Sequence, residues 1–159
     1  MGHGSSMKET TKHYFRDPLL EVASADKDVN VRAVVIVGTP DGNEDKLRSS
    51  RRVGALMGSL GVDGALFACN GMGNNDIDYV NSIGETEKRG IPVVALSPCE
   101  RENLVVKNEY LEGWTCFYRP KDESTLMSEE TRVLAENTYT RLDAAWALSK
   151  LKRRMAGKK

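Results

Sequence analysis

The stretch Ala65-Leu66-Phe67-Ala68-Cys69-Asn70-Gly71-Met72-Gly73-Asn74-Asn75-Asp76-Ile77-Asp78-Tyr79 decides the fold class. A short apolar run stops in a Gly/Asn loop, after which Ile77, Val80 and Ile83 recur at helical spacing. That order is a strand, a turn and a helix start. Gly71 and Gly73, with Asn70, Asn74 and Asn75 around them, tolerate positive φ. They let backbone N–H groups converge on a helix N-terminus, where the dipole favours an anionic or carbonyl ligand. Asp76 and Asp78 add two carboxylates in the first turn. The mixture suits a ligand with an ammonium group beside a carboxylate better than a phosphate. The bland reading is a tight connection in which Asn74 or Asn75 caps the helix. The glycine spacing matches no dinucleotide fingerprint and no Walker lysine follows.

Outward from this stretch the pattern repeats. Val31 to Val37 is nearly continuous in β-branched and small apolar residues and stops at Gly38-Thr39-Pro40-Asp41-Gly42, which predicts a first core strand and a turn. Gly38 and Thr39 complete the candidate ligand-binding set. Asp41 or Asn43 can cap a following helix on which Val53, Leu56, Met57 and Leu60 form the apolar stripe, ended by Gly61. Ala65 to Cys69 is the second expected strand, a helix runs on to Gly90, and Ile91 to Ser97 is the third. Alternation of this kind predicts an α/β fold: a single-domain, mostly parallel sheet with helices on both faces.

Beyond Pro98, Leu104 to Val106 and Trp114 to Tyr118 read as further strands, with Gly113 turning between them and Lys121 to Glu130 as loop. Thr140 starts a last helix with Asp143 at its third position and a stripe of Leu142, Ala145, Trp146, Leu148, Leu151 and Met155. At the other end, Met1 to Ser6 reads as a vector-derived remnant. Lys8 to Asn30, interrupted by Pro18, reads as an extended arm whose Phe15, Leu19, Leu20 and Val22 can pack on the domain or on a partner. The domain proper is then residues 31–159.

Composition narrows the function classes. Lys+Arg and Asp+Glu both number 23, so no net charge steers the chain to nucleic acid or a membrane surface. The six basic residues from Lys150 to Lys159 read as a solvated helix end, and Trp114 and Trp146 as core or interface aromatics. No apolar run approaches the ~20 residues that span a bilayer, and no signal-peptide pattern is present, so a cytoplasmic protein is expected. The three cysteines, Cys69, Cys99 and Cys116, have no C-x-x-C spacing, which favours reduced thiols over a disulfide framework or a zinc cluster. The only histidines, His3 and His13, precede the expected fold, so no metal site is expected. Cys69 and Cys99 each end an expected strand and therefore share the rim where α/β sites form. They are the candidate catalytic thiols, and should react faster than Cys116, which reads as lying inside an apolar-aromatic strand. The bland reading makes both small buried hydrophobes.

Three separated pieces resemble one family: Gly38-Thr39-Pro40; Asp63-Gly64-Ala65 through Gly71-x-Gly73-Asn74-x-x-Ile77-Asp78-Tyr79 into Lys88-Arg89-Gly90-Ile91-Pro92-Val93-Val94; and Glu136-Asn137-Thr138 with Leu142-Asp143-Ala144. Together they are similar to the proprotein-derived subunits of glycine/sarcosine/betaine reductase component B and D-proline reductase, over about Ala33 to Leu151. The resemblance implies a selenoenzyme complex that reductively cleaves a C–N bond of an amino acid or betaine with dithiol-derived electrons, its selenocysteine carried by another subunit. In larger members an internal cysteine becomes a pyruvoyl group. Here no cysteine precedes Cys69, and Cys69 ends an expected core strand, so no cofactor is expected on this chain. Where the family loop tends to carry a histidine, this chain has Asp76. The short length implies a stand-alone paralogue of the C-terminal part, of the D-proline reductase accessory type. It would act with other reductase subunits, as a homo- or hetero-oligomer, with a small amino-acid ligand. The alternatives are an independent thiol-dependent reductase, in which Cys69 or Cys99 reacts and Asp76 or Asp78 handles protons, and an amino-acid sensor domain.

Overall fold

A parallel sheet needs crossover segments long enough to return the chain to the same edge, and the segments between the strands here supply them. The computed structural model describes residues 17–69, 73–116 and 139–157. In chain order its elements are α1 (Pro18–Ala25), α2 (Asn43–Leu60), β1 (Ala65–Ala68), α3 (Asn74–Glu87), β2 (Val93–Ser97), β3 (Trp114–Cys116) and α4 (Arg141–Ala156). The three strands form one parallel sheet in the order β1-β2-β3. Ala65 pairs with Val93 and Ala68 with Leu96, while Ala95 pairs with Trp114 and Ser97 with Cys116.

The central strand β2 is buried along its whole length, and its alternate residues feed two cores. Val93 and Ala95 face Tyr79, Val80 and Ile83 of α3, together with Leu104, Leu111 and Trp114. Val94 and Leu96 face Ala147 and Leu151 of α4, with Tyr139. Helices therefore cover both faces, and the α/β class expected above is the observed one. α2 packs along α3, and its Val53 and Met57 meet Ile91 in a third cluster that Ala65 and Phe67 of β1 join. Side chains as buried as Val80, Ile83 and Leu96 each contribute roughly 1.5–3 kcal/mol.

Several local expectations are corrected. Val31 to Val37 forms no strand. It pairs with none among the described residues, and Val34 and Ile36 are 65% and 84% exposed. Only Val35 docks, against the Val53–Met57 cluster. β-branched residues suit a pleated surface, but a strand exists only with a ladder partner, and β-propensity records that context. Pro18 does not leave residues 18–25 extended. It stands at the first helical position, where its missing N–H costs nothing, and Asp17 caps the helix by accepting from Leu19 N at 2.8 Å. α2 is capped by Gly42 rather than by Asp41 or Asn43, and Gly61 ends it at φ 60°, as expected. α3 stops at Glu87, three residues short of Gly90.

Leu104 to Val106 is not a strand: a single 3₁₀ turn, Arg101–Asn103, precedes it, Leu104 drops into the core and Val105 is exposed. β3 ends at Cys116, and Phe117, Tyr118 and Lys121 to Glu130 lie outside the described residues. Thr140 and Asp143 make the expected capping box, Thr140 N donating to Asp143 Oδ2 at 2.7 Å. The buried stripe of α4 is nevertheless Ala144, Ala147, Leu148 and Leu151, while Leu142 and Trp146 are exposed. Ala144 and Ala147 let the helix approach the sheet and face inward beside Leu148 and Leu151, while Ala145, also expected in the stripe, faces outward with Leu142 and Trp146.

Several of the basic residues expected to be solvated are structural. Arg154 donates to Glu87 at 2.6 Å and to the Val93 carbonyl, Lys152 pairs with Asp26 at 2.6 Å, and Lys150 donates to Trp114 O at 2.9 Å. α1 is tied to α4 by Arg141–Glu21 at 2.7 Å and by the Tyr139 hydroxyl donating to Asp17 at 3.0 Å. No described helix is long and apolar enough to cross a membrane.

Candidate functional site

The carboxyl edge of the sheet is where β1 hands over to α3, and the N-terminal ends of α2 and α3 meet beside it. Gly73 is the N-cap of α3, at φ 72°, a conformation that side chains with a Cβ rarely adopt. Asn74 and Asn75 are therefore the first helical residues and not the cap. Asp76, three residues after the cap, is 1% exposed, and its Oδ2 accepts from Gly73 N at 3.1 Å. Burial raises its pKa above the usual carboxylate value, against the opposing pull of the Gly73 and Val105 amides. Asp76 thus keeps its proton to higher pH than an ordinary aspartate and is a candidate proton carrier.

Asp78 is 3% exposed and pairs with Lys46 of α2, Nζ to Oδ2 at 2.6 Å, the lysine being fully buried. The Ser50 hydroxyl sits over the same pair, 2.9 Å from Lys46 O and 3.2 Å from Asp78 O. Among the described residues, Asp76 Oδ1 and Asp78 Oδ1 are buried without a hydrogen-bond partner. Asp78, Lys46 and Ser50 therefore line the α2–α3 seam at the rim, while Asp76, two positions away on the same helix, is held by the Gly73 amide and has the Val105 amide beside it.

Sequence reasoning missed Lys46 and Ser50. The signal was present, because residues 46, 50, 53 and 57 share one helical face with the apolar stripe of α2.

The raised pKa gives a pH test of Asp76. Its folded state binds the proton more tightly than the unfolded chain, so its contribution to stability falls as pH rises from about 3.8 through the folded value and is flat above that. Asp76→Asn removes that component. The stability of the wild type relative to the variant should therefore decline between pH 4 and neutrality in urea melts. A difference that is constant with pH would show that Asp76 is not perturbed.

The two candidate thiols do share the rim. Cys69 follows β1 directly, its amide donating to Leu96 O at 3.1 Å, and Cys99 lies two residues beyond β2, its amide donating to Ser97 Oγ at 3.0 Å. Both are half-buried against the Tyr79–Trp114 core cluster. Tyr79 donates its hydroxyl to Leu96 O at 2.8 Å, and burial, with Cys69 beside it, holds the phenol protonated well beyond the usual range. Cys116, the last residue of β3, is exposed, where the sequence reading set it inside an apolar-aromatic strand Trp114 to Tyr118. Gly38 and Thr39 are exposed on the segment leading into α2 and take no part in the buried cluster. Asn70 and Gly71 lie outside the described residues. No group of three or more His, Cys, Asp or Glu side chains suited to a metal ion occurs among the described residues.

A match to the family of glycine/sarcosine/betaine reductase component B subunits covers residues 4–101, which take in α2, β1, α3, β2 and the buried Lys46–Asp78 pair. The chain belongs to that family. As a component B family member it is 34% identical over 154 residues to the D-proline reductase proprotein of Acetoanaerobium sticklandii, covering 96% of this chain and 24% of that protein. It is 33% identical over 92 residues to the alpha subunit of sarcosine reductase complex component B of Peptoclostridium acidaminophilum, covering 57% of this chain and 22% of that subunit. The chain thus spans about a quarter of the length of these curated relatives. No solved structure matches it. The family match ends at Arg101, so β3, Cys116 and α4 lie beyond it.

Proposed function

We propose that this chain is a subunit or accessory protein of an amino-acid reductase complex of the D-proline or glycine type, serving the reductive cleavage of a C–N bond. The observation that carries this reading is the likeness to the D-proline reductase proprotein, which runs through 96% of the chain rather than one motif. What supports a small amino-acid ligand is chemistry at the rim: the unpartnered carboxylate oxygens of Asp76 and Asp78 suit an ammonium group, and the N-terminus of α3 suits a carboxylate.

The chain works without a pyruvoyl group of its own. Making one from a cysteine requires cutting the chain on its amino side, and the cysteines here are poorly placed for that. The Cys69 amide extends the β1–β2 ladder, the Cys99 amide is held by Ser97, and Cys116 makes the last pair of the β2–β3 ladder with Ser97. The residues do not fit the group. Activity then comes from association with other reductase subunits, including a selenocysteine-bearing one.

The purified chain should reduce none of D-proline, glycine, sarcosine or betaine with dithiothreitol. It should co-purify from its native cells with a reductase subunit that mass spectrometry identifies by its selenocysteine peptide. Recovery as a monomer fully active on D-proline with dithiothreitol alone would overturn the accessory role.

A further inference from the structure

The cysteines are scattered in sequence at positions 69, 99 and 116, yet the sheet brings them to one edge around Ser97. Ser97 pairs with Cys116 in the β2–β3 ladder, and its hydroxyl accepts the Cys99 amide at 3.0 Å. Cys69 continues the β1–β2 register on the other side, donating to Leu96 O. All three side chains are thiols. Trp114, two residues before Cys116, donates its indole N–H to Cys99 O at 2.9 Å and so holds the turn after β2 against β3. Cys116, Trp114, Glu100 and Arg101 border an open cavity of about 350 Å³, and Glu100 is the residue next to Cys99.

We propose that Cys116 and Cys99 form a thiol–disulfide exchange pair acting on small-molecule disulfides, with Cys116 as the entering thiol and Cys99 as the resolving one. The assignment follows from spacing. Neighbouring strands lie ~4.8 Å apart, so Cys116 and Cys69, separated by β2, are roughly 10 Å apart at Cα. That is beyond the ~7 Å limit for a disulfide without backbone movement. Cys99, whose amide is held by Ser97 and whose carbonyl is held by Trp114, stands beside the end of β3 where Cys116 lies, with its Sγ donating to Glu100 O at 3.4 Å in this conformation. Exposure settles the order, because Cys116 is open to the cavity while Cys99 is half-buried.

In the forward direction the Cys116 thiolate attacks one sulfur of the bound disulfide and the other half leaves as a thiol after taking a proton. Cys99 then attacks the Cys116 sulfur and displaces the second half. Two cysteine thiols give up two electrons and two protons, and one external disulfide becomes two thiols. Of the bordering carboxylates, Glu102 pairs with Arg101 at 3.7 Å and Glu112 with Arg154 at 3.2 Å, so Glu100, the neighbour of Cys99, is the one that favours a disulfide with ammonium arms. The inference rests on the sheet register and goes beyond the complex-subunit reading, so the two can fail separately.

Cystamine is the probe. In the wild type the thiol count after denaturation should fall from three to one, and peptide mapping should find a Cys99–Cys116 bridge that dithiothreitol reverses. Cys99→Ser should stop at a cysteamine adduct on Cys116, and Cys69→Ser should behave as the wild type. A wild type that keeps three thiols, stops at the Cys116 adduct, or bridges through Cys69 would overturn the assignment.

Discussion

Lys46→Met is expected to destabilise the fold by about 3–5 kcal/mol, the cost of removing one partner of a buried ion pair and leaving the other charge uncompensated. The side chains of Lys46 and Asp78 are 0% and 4% exposed, so water cannot take over the lost contact. Asp78 also has one carboxylate oxygen with no partner already, which leaves it poorly placed to absorb the loss of the other. The pair joins α2 to α3, the two helices that share the seam beside the rim, so the damage should spread along that seam. The double variant Lys46→Met/Asp78→Leu is the informative control. It removes both charges, and much of the stability should return, since burying neither charge costs less than burying one. Urea melts of the wild type, the single and the double variants measure this. A single variant within 1 kcal/mol of the wild type would mean that the pair is not held dry.

How far such features can be read from sequence depends on whether the signal is local. β1, β2, α2 and α3 were legible because apolar periodicity and glycine punctuation lie within each segment, and the Thr140–Asp143 cap was legible because both partners are four residues apart or closer. Val31 to Val37 misled because its composition suits a strand whose pairing partner the sequence cannot supply. α1 was hidden because Pro18 was weighed as a breaker without the Asp17 side chain before it. Of the candidate site, Asp76, Asp78, Cys69 and Cys99 were legible, since a strand end and a helix start place them on one edge. Lys46 was not, because a lysine on an apolar stripe looks like an error until the carboxylate 32 residues away is found. The exposure of Cys116 was not legible, because it depends on where β3 sits in its ladder with β2.

The second large effect is expected from Gly113→Ala, at or beyond the ~3 kcal/mol upper end for inserting one methyl group into a packed interior. Gly113 precedes β3, and a Cβ there would land directly on the Val93 carbonyl oxygen, with Arg154 Nη1 2.8 Å away. Neither can yield cheaply. Val93 begins the central strand, its N–H donates to Glu87 Oε1 at 2.6 Å, and Arg154 bonds both Glu87 and the Val93 carbonyl, with Glu112 at 3.2 Å. The close approach, rather than a left-handed backbone, is what requires glycine, since Gly113 is not among the residues with positive φ. Relief would have to come from moving β3 away from β2, which would also separate Cys116 from Ser97 and Cys99. Gly113→Ala should therefore melt roughly 6–12 °C below the wild type and lose the cystamine-induced Cys99–Cys116 bridge. Gly38→Ala, where nothing lies within 4 Å of the added carbon, should change neither property. Calorimetry and thiol mapping on the same samples measure both, and a Gly113→Ala protein that melts with the wild type would show that β3 does not sit against Val93.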